Sequence, residues 1–175
     1  MRIIRFLFYF IISFALYFSF RQAGVEERVC RLAGCGLLAV LVIIDFFVKE
    51  SVKRHLFKST MKNIDKMEGV EFEQYLKARF EDWGYKVTIT KATADMGADL
   101  ILERGEEKIA VQAKRYSHKV GTACVQQAIA GREAYEATGA ICITNSYFTR
   151  QAKEIAERCN VAMWDRDVLR EKFEL

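Results

Sequence analysis

The pattern of apolar and polar positions divides the chain into two differently organised parts. Residues 3–20 are almost wholly apolar, and Arg5 near their beginning is their only charge. A second apolar run covers about residues 32–48 and carries one charge, Asp45. Each run is close to the ~20 residues that an α-helix needs to cross a bilayer. We therefore predict two transmembrane helices over residues 1–48, joined by a polar link at residues 21–31.

Two other interpretations of these apolar runs stay open. The first run could belong to a signal peptide, but residues 20–24 form a weak cleavage site and a second apolar run follows. The runs could also be a single membrane anchor followed by a buried helix. Of the three, the helical hairpin agrees best with the lengths of both runs.

The positions of Lys and Arg predict the orientation of this hairpin. Six basic residues follow the second run within residues 49–66, whereas the link between the runs carries three. An excess of positive charge marks the cytoplasmic side, so both chain ends are expected there. We predict a multi-pass protein of the inner (cytoplasmic) membrane. Residues 49–66 would be a basic juxtamembrane linker, acting as a stop-transfer flank or touching anionic lipid head groups.

Beyond the linker, the periodicity changes to that of one α/β domain over residues 67–175. Apolar positions at helical spacing and alternating positions at strand spacing follow each other along the chain. Several expected caps and stops bound these elements, among them Gly84, Thr149 and Asp165. The predicted order is a helix at 70–83, a strand at 85–90, a hairpin with arms at 94–102 and 108–116, a helix at 122–137, a strand at 140–144, a helix at 150–158, a strand at 161–164 and a terminal helix. This order predicts an α/β sandwich with a mixed sheet.

The second and third strands are predicted to form a hairpin around which the domain is organised. Residues 104–107 would make its turn, because Gly105 permits the backbone conformation that a tight turn needs. In that register opposed residues have numbers that sum to 211, which places Asp99 across from Gln112. Side chains alternate between faces along a strand, so Lys114 shares their face. The opposite face is apolar and carries Leu100, Leu102, Ile109 and Val111.

These polar side chains suit the hydrolysis of a phosphodiester, which needs a hard cation, an activated water and stabilisation of negative charge. Asp99 is a suitable ligand for Mg²⁺ or Mn²⁺, and Gln112 offers an amide oxygen to the metal or positions the water. Lys114 could orient the water or offset developing charge. Glu73, on the first helix, could add a carboxylate through a water. Asp95 precedes the strand and either holds a water or metal from the outer shell or only shapes its turn.

A second interpretation gives these side chains no catalytic role, because an acid, an amide and a lysine on one face could form a solvated surface salt bridge. Two features weigh against it. The strand with Gln112 and Lys114 is expected to be central, where polar side chains need a reason to be present. A basic and partly aromatic rim also follows at once and suits a phosphate backbone; it consists of Arg115, Tyr116, His118 and Lys119.

Composition adds only limits to this picture. The chain has 175 residues and a formal net charge of +4, and beyond residue 48 it carries 22 Lys and Arg against 20 Asp and Glu. Overall charge therefore does not indicate a nucleic-acid partner, and that case depends on local clusters. The five Cys include no C-x-x-C pair and the chain has only two His, which makes a structural zinc site unlikely to form.

The motifs of residues 67–172, taken together, resemble the catalytic domain of Mrr-like restriction endonucleases in the PD-(D/E)XK nuclease superfamily. The matching segments are Glu71-Phe72-Glu73, Trp83-Gly84-Tyr85-Lys86-Val87, Asp95-Met96-Gly97-Ala98-Asp99-Leu100, Val111-Gln112-Ala113-Lys114-Arg115-Tyr116, Ala140-Ile141-Cys142-Ile143-Thr144-Asn145 and Phe148-Thr149 with Ala152. The resemblance implies a restriction-endonuclease-like αβββαβ core and Mg²⁺-dependent cleavage of DNA. It implies that Asp99 is the metal ligand, that Gln112 and Lys114 complete the signature, and that Glu73 is the helix-borne acid.

The sequence thus predicts a membrane-anchored, metal-dependent DNA endonuclease that faces the cytoplasm, with restriction of foreign DNA as its expected role. Double-strand cleavage would need two sites acting together, so a homodimer is among the expected partners. Two alternatives remain at this stage. One is a catalytically inactive module that binds nucleic acid and is tethered to the membrane, and the other is a membrane scaffold that binds protein partners.

Overall fold

The computed structural model of the chain describes residues 2–57, 60–90 and 96–175. The chain divides into two compact units, Met1–His55 and Leu56–Leu175. The N-terminal unit contains helix α1 (Arg2–Gln22) and most of helix α2 (Glu27–Phe57). Gly24 lies between them with φ +78°, a conformation that glycine adopts without steric cost. The hydroxyl of Tyr9 donates a hydrogen bond to Oδ1 of Asp45 at 3.4 Å, which joins the two helices.

The N-terminal helices expose most of their large apolar side chains. Within the described residues, the segment Glu27–Val48 is long and apolar enough to cross a membrane, judged by length and composition. Leu7–Gln22 is a shorter apolar helix. The structure thus supports one candidate span where the sequence predicted two.

The segment predicted as a linker, residues 49–66, differs from the structure at both ends. Helix α2 continues through Phe57, and a short helix α3 (Met61–Ile64) follows. Met61, Ile64 and Met67 are buried in the core of the C-terminal unit. The boundary predicted at residue 67 therefore falls inside the packed domain. The sequence did not reveal this, because the three buried apolar residues alternate with charged and polar ones.

The C-terminal unit has the predicted order of elements around a five-stranded mixed sheet. The elements after α3 are α4 (Gly69–Asp82), β1 (Lys86–Ile89), β2 (Leu100–Arg104), β3 (Glu107–Lys114), α5 (Thr122–Ala134), β4 (Gly139–Thr144), α6 (Arg150–Arg158), β5 (Val161–Trp164) and α7 (Arg166–Phe173). The strands lie in the order β1-β2-β3-β4-β5, with antiparallel pairing among β1, β2 and β3 and parallel pairing among β3, β4 and β5. The predicted α/β fold with β3 at its centre is confirmed.

The two faces of the sheet pack against different helices. Helix α4 covers the face that carries Leu100 and Val111, and its own Phe72, Leu76 and Phe80 are buried there. Helices α5 and α6 cover the other face, which carries Ala140 and Cys142. Because side chains alternate along β3, residues 111 and 113 face α4, while residues 110, 112 and 114 face the α5 side.

Local caps explain why several of these elements begin where they do. The Thr149 hydroxyl accepts a hydrogen bond from the N–H of Ala152 at 3.2 Å and caps α6. The carboxylate of Asp165 accepts from the first turn of α7 in the same way. Such caps satisfy N–H groups that have no partner inside the helix. Both predicted caps are confirmed.

Candidate active site

The β2–β3 hairpin has the predicted register. Leu100 pairs with Val111, Leu102 with Ile109 and Arg104 with Glu107, so the numbers of opposed residues sum to 211. Gly105 in the turn has φ +60°. Asp99 lies one residue before β2, and its N–H donates to the carbonyl oxygen of Val111 at 2.8 Å. The register therefore brings Asp99 beside Gln112, near the C-terminal end of β3.

The side chains of Asp99 and Gln112 are in direct contact. The Gln112 amide donates a short hydrogen bond to Oδ2 of Asp99, and the backbone N–H of Ala113 donates to the same oxygen at 2.7 Å. Gln112 is only 2% exposed. A buried amide whose N–H engages a carboxylate at a fixed place restricts the orientation of that carboxylate. Asp99 and Gln112, which the sequence predicts to be neighbours, are thus held together beside the central strand.

The backbone around Asp99 is fixed by close packing against α5. Gly97 has φ +91°, and a Cβ at this residue would collide with the carbonyl oxygen of Gln127. A Cβ at Gly131 would lie 2.7 Å from Cβ of Ala98. On the other side, the Thr90 N–H donates to the carbonyl oxygen of Asp99 at 3.0 Å. Two glycines therefore allow the segment before Asp99 to approach the helix closely.

Lys114 lies two residues beyond Gln112 on the same face of β3 and is half-buried. Its partner residue on β4 is the fully buried Thr144, and the partner of Gln112 is Cys142. A hydrogen bond with Cys124 and then burial raise the pKa of the Cys142 thiol far above its ordinary value.

Glu73 lies on a different face from the Asp99–Gln112 pair. It is half-buried on α4, which packs against the opposite side of the sheet. Arg104 at the hairpin turn donates to the carbonyl oxygen of Trp83, the C-cap of α4, at 3.3 Å. The first turns of α4 therefore lie toward the other end of the sheet, where Asp99 also lies. Glu73 therefore lies at the same end of the sheet as Asp99, but on the opposite face of the sheet. Asp95 lies outside the described residues.

A second polar cluster lies at the same end of the sheet. Arg166 binds Asp65 with two hydrogen bonds, Nη1 to Oδ1 at 2.7 Å and Nη2 to Oδ2 at 2.9 Å. The amide of Asn145, which is 3% exposed, also donates to Oδ1 of Asp65 at 2.9 Å. The hydrogen bonds from Arg166 are the main reason that the pKa of Asp65 lies below its ordinary value, with Asn145 and the charge of Arg115 adding to the effect.

This second cluster anchors the rim that follows β3. Oδ1 of Asn145 accepts a hydrogen bond from the N–H of Tyr116 at 2.8 Å. Arg115 is half-buried, and its Nε atom has no hydrogen-bond partner among the described residues. Tyr116, His118 and Lys119 are exposed. Of the four predicted rim residues, three therefore face solvent and Arg115 is drawn toward the cluster.

The donor set at Asp99 fits a hard cation. A carboxylate and an amide both carry oxygen donors, which Mg²⁺ and Mn²⁺ prefer, and Mg²⁺ often takes one or two carboxylates and completes its shell with water and phosphate. Within the described part of the chain, no cluster of three or more His, Cys, Asp or Glu side chains is arranged to hold a metal ion.

Two groups of residues that support the site were not found from the sequence. The Asp65–Arg166 pair joins residues 101 positions apart, and no local sequence pattern predicts a contact over that distance. Gly131 lies inside a predicted helix, where glycine costs ~1 kcal/mol relative to alanine. A glycine at this unfavourable position was the one sequence signal of the close contact between Gly131 and Ala98.

Comparisons with known proteins bear on the family to which the C-terminal unit belongs. The profile of the Mrr catalytic domain, described as restriction endonuclease, matches residues 64–173. No curated protein matches. A search of solved structures finds the protein of unknown function AF1548, with a TM-score of 0.49 and 17% identity over 59% of this chain and 65% of that chain.

The same search finds the MspJI restriction endonuclease in complex with a 27-mer oligonucleotide. Its TM-score is 0.43 and its identity 17%, over 70% of this chain and 31% of that chain. The present chain thus spans less than two thirds of the length of either structure. The family match covers more than half of the chain and includes Asp99, Gln112 and Lys114. The chain therefore belongs to the Mrr catalytic-domain family of restriction endonucleases.

Proposed function

We propose that this protein is a membrane-anchored DNA endonuclease that hydrolyses phosphodiester bonds with Mg²⁺ or Mn²⁺. One observation carries the proposal: the carboxylate of Asp99 contacts the buried amide of Gln112, with Lys114 on the same face of the central strand. A surface salt bridge has no need of a 2% exposed glutamine beneath it. Membership of the restriction endonuclease family supports the assignment to nucleases.

The side chains divide the chemistry among them. Asp99 holds the cation, and Gln112 keeps the carboxylate in place and offers its own carbonyl oxygen. When bound, the cation polarises a phosphoryl oxygen and makes a water molecule more acidic. Lys114 orients that water or stabilises the negative charge that develops on the phosphoryl group. Glu73 lies at this end of the sheet but on its other face, so it would reach the cation only around the strand ends, through a water. Asp95 acts from the outer shell of the site.

The rim supports DNA as the polymer that is bound. Lys119, Tyr116 and His118 are exposed directly after the strand that carries Lys114. Phosphate contacts from basic side chains position a nucleic acid without reading its sequence. Because the unit is otherwise near neutral, this local cluster is where we expect the backbone to lie.

Membrane attachment through α1 and α2 belongs to the same proposal. The segment Glu27–Val48 has the length and composition of a span, and its large side chains are mostly exposed, as they are in a helix that faces lipid. We propose a multi-pass protein of the inner membrane, with the nuclease domain in the cytoplasm and restriction of foreign DNA as its role. Carbonate extraction tests the anchor: the protein should stay with the membrane pellet, and release into the supernatant would contradict it.

A cleavage assay tests the activity. Full-length protein in detergent is incubated with linear, supercoiled, methylated and branched DNA, in Mg²⁺, Mn²⁺ or EDTA, beside an Asp99→Ala variant. We expect nicking or cutting in the presence of metal, none in EDTA, and a rate at least about a hundredfold lower for the variant. Binding of DNA without cleavage under every condition would favour the inactive nucleic-acid-binding module. Absence of binding even at low salt would favour a protein scaffold.

The assay also tests the homodimer. Two sites must act on opposite strands to make a double-strand break. We therefore expect double-strand breaks to rise more steeply than nicks with protein concentration. A linear dependence for both products would contradict a dimer as the active form.

A further inference from the structure

The segment between β3 and α5 carries two aromatic rings in an ordered, exposed arrangement. The rings of Tyr116 and His118 stack with centroids 4.9 Å apart and an interplanar angle of 18°. Tyr116 is 43% exposed, and His118 is exposed as well. By contrast, Tyr75 packs in the core and is fully buried. An aromatic stack that is left in solvent beside a candidate active site offers a flat apolar surface to a ligand ring.

The segment that carries these rings is fixed at both ends. At its beginning, the N–H of Tyr116 donates to Asn145, which the Asp65–Arg166 pair holds in turn. At its end, Val120 is buried, and its N–H donates to the carbonyl oxygen of Tyr147 at 2.8 Å. The carbonyl oxygen of Val120 accepts from the N–H of Thr149 at 2.9 Å. Binding of a ligand to these rings therefore costs little conformational entropy, because the segment is already ordered.

The surroundings of the stack favour a phosphate-bearing ligand. Lys114 precedes the rings by two residues, and the exposed Lys119 follows directly. The next residue but one, Gly121, is the N-cap of α5, and a Cβ there would meet nothing within 4 Å. No side chain caps the 13-residue helix that begins here, two residues beyond Lys119 in the chain. Cationic side chains and a helix N-terminus both attract phosphate.

We propose that the Tyr116–His118 stack binds an unpaired DNA base, so that this nuclease selects DNA with single-stranded gaps, flaps or branches. In a duplex, both faces of each base are covered by neighbouring bases, and an exposed tyrosine ring cannot reach them. An unpaired base has a free face that continues the two-ring stack, while Lys119 and the α5 N-terminus contact its flanking phosphates. This inference rests on the proposed function only in that DNA is the polymer bound.

The test compares two DNA molecules in EDTA, where no metal-dependent cleavage occurs. Full-length protein in detergent is titrated against a labelled duplex and against the same duplex with a short single-stranded gap, followed by fluorescence anisotropy. The wild type should bind the gapped DNA more tightly. Tyr116→Leu should lower affinity for gapped DNA about tenfold and for the duplex less than about twofold. Tyr116→Trp should retain the preference, because the larger ring still stacks.

A matched variant and the thermal unfolding midpoint control for structural effects. Tyr147 is also exposed, at 40%, but its hydroxyl donates to Asp167 and its ring is not part of the stack, so Tyr147→Leu should leave the preference intact. The backbone of Tyr116, not its ring, holds the segment, so Tyr116→Leu should unfold at the wild-type temperature. Should Tyr116→Leu unfold earlier, His118→Leu decides the question, because it removes the other, exposed ring of the stack and should lose the same preference for gapped DNA.

Three results would overturn the inference: equal binding of gapped and duplex DNA by the wild type, an equal loss for both molecules in Tyr116→Leu, or binding of single-stranded RNA in place of gapped DNA. The proposed function fails separately, through absence of metal-dependent cleavage. A protein that cleaves DNA but whose gap preference ignores Tyr116 would contradict only the stacking. A protein that never cleaves but shows the Tyr116-dependent preference would contradict only the nuclease chemistry.

Discussion

Two aspartates at the same end of the sheet each accept a hydrogen bond from a side-chain amide, yet their surroundings suit them to different tasks. Asp65 accepts from Asn145 and is bound by both arms of Arg166. The two bonds described for Asp99 come from neutral donors, the amide of Gln112 and the N–H of Ala113. A carboxylate paired with a guanidinium already has its counter-ion. Asp99 instead accepts from the amide of Gln112 and the N–H of Ala113 on the central strand, with Lys114 on the same face as Gln112.

Their places in the chain reinforce this contrast. Asp65 joins α3 to the beginning of α7 and to the end of β4, so its bonds tie distant segments together. Asp99 lies one residue before Leu100, beside the central strand. The residue opposite it, Gln112, precedes Lys114 by two positions on that strand. The difference shows that a buried amide beside a carboxylate does not itself identify a metal site. What distinguishes Asp99 is its place beside the central strand, next to Gln112 and on the face that carries Lys114.

The largest expected effect comes from removing the lysine beside Asp99. Lys114→Met should lower the rate of DNA cleavage about a hundredfold or more, because the positive charge next to the reacting phosphate is lost. Affinity for DNA in EDTA should change less than about threefold, since one phosphate contact at most is removed. Lys86→Met is the control, because Lys86 forms an exposed ion pair with Glu103 away from the site. Equal cleavage by both variants would contradict the role of Lys114.

Next in size is a variant that shifts Asp99 without touching it. In Gly131→Ala the new methyl group would lie 2.7 Å from Cβ of Ala98 and 2.9 Å from the carbonyl oxygen of Gly97. The segment before Asp99 must then move, and we expect cleavage about tenfold slower, since small misplacements of reacting groups cost rate. Gly69→Ala, which meets nothing within 4 Å on α4, should cleave as the wild type does. An unchanged rate in Gly131→Ala would show that this contact does not position Asp99.

Removal of the counter-ion of Asp65 should affect stability more than activity. Arg166→Leu leaves a half-exposed carboxylate with fewer donors, so we expect a loss of about 1–2 kcal/mol in the free energy of unfolding. Cleavage per folded molecule should stay within about threefold of the wild type. Arg150→Leu removes a pair with Glu154 whose arginine is 91% exposed, and it should cost less than about 0.5 kcal/mol. A collapse of cleavage in folded Arg166→Leu would place this cluster within the chemistry.

The smallest effect is the pH dependence that the same pair produces. The pKa of Asp65 is lower in the folded chain than its ordinary 3.8, chiefly because Arg166 donates to it. The stabilisation is therefore complete above about pH 4 and is lost as the pH falls through the lower, folded pKa. Because the side chain is 36% exposed, we expect less than about 1 kcal/mol. The melting temperature of Asp65→Asn should fall less steeply between pH 5 and pH 3 than that of the wild type; an equal fall would exclude Asp65 as a source.

Much of the fold could be predicted because its signals are local. Alternation along β2 and β3, with Gly105 between them, fixes the hairpin register and hence the contact of Asp99 with Gln112. The caps Thr149 and Asp165 fix the beginnings of α6 and α7 in the same way. In each case a few neighbouring residues contain the whole physical cause, so the sequence pattern is sufficient.

The features that escaped prediction depend on contacts between distant residues. The Asp65–Arg166 pair spans 101 positions, and Met61 and Ile64 join the core from a segment that looks like a charged linker. The face on which Glu73 lies was also not determined, because helical periodicity shows which side of α4 is buried but not which side of the sheet it covers. Only the assembled fold supplies these relations.

The binding of Mn²⁺ tests the contrast between the two aspartates most directly. Electron paramagnetic resonance can follow a titration of full-length wild type, Asp99→Asn and Asp65→Asn without DNA and without turnover. We predict saturable binding by the wild type and by Asp65→Asn, and its loss in Asp99→Asn. Retention of binding in Asp99→Asn, or its loss in Asp65→Asn alone, would contradict the assignment of the metal to Asp99.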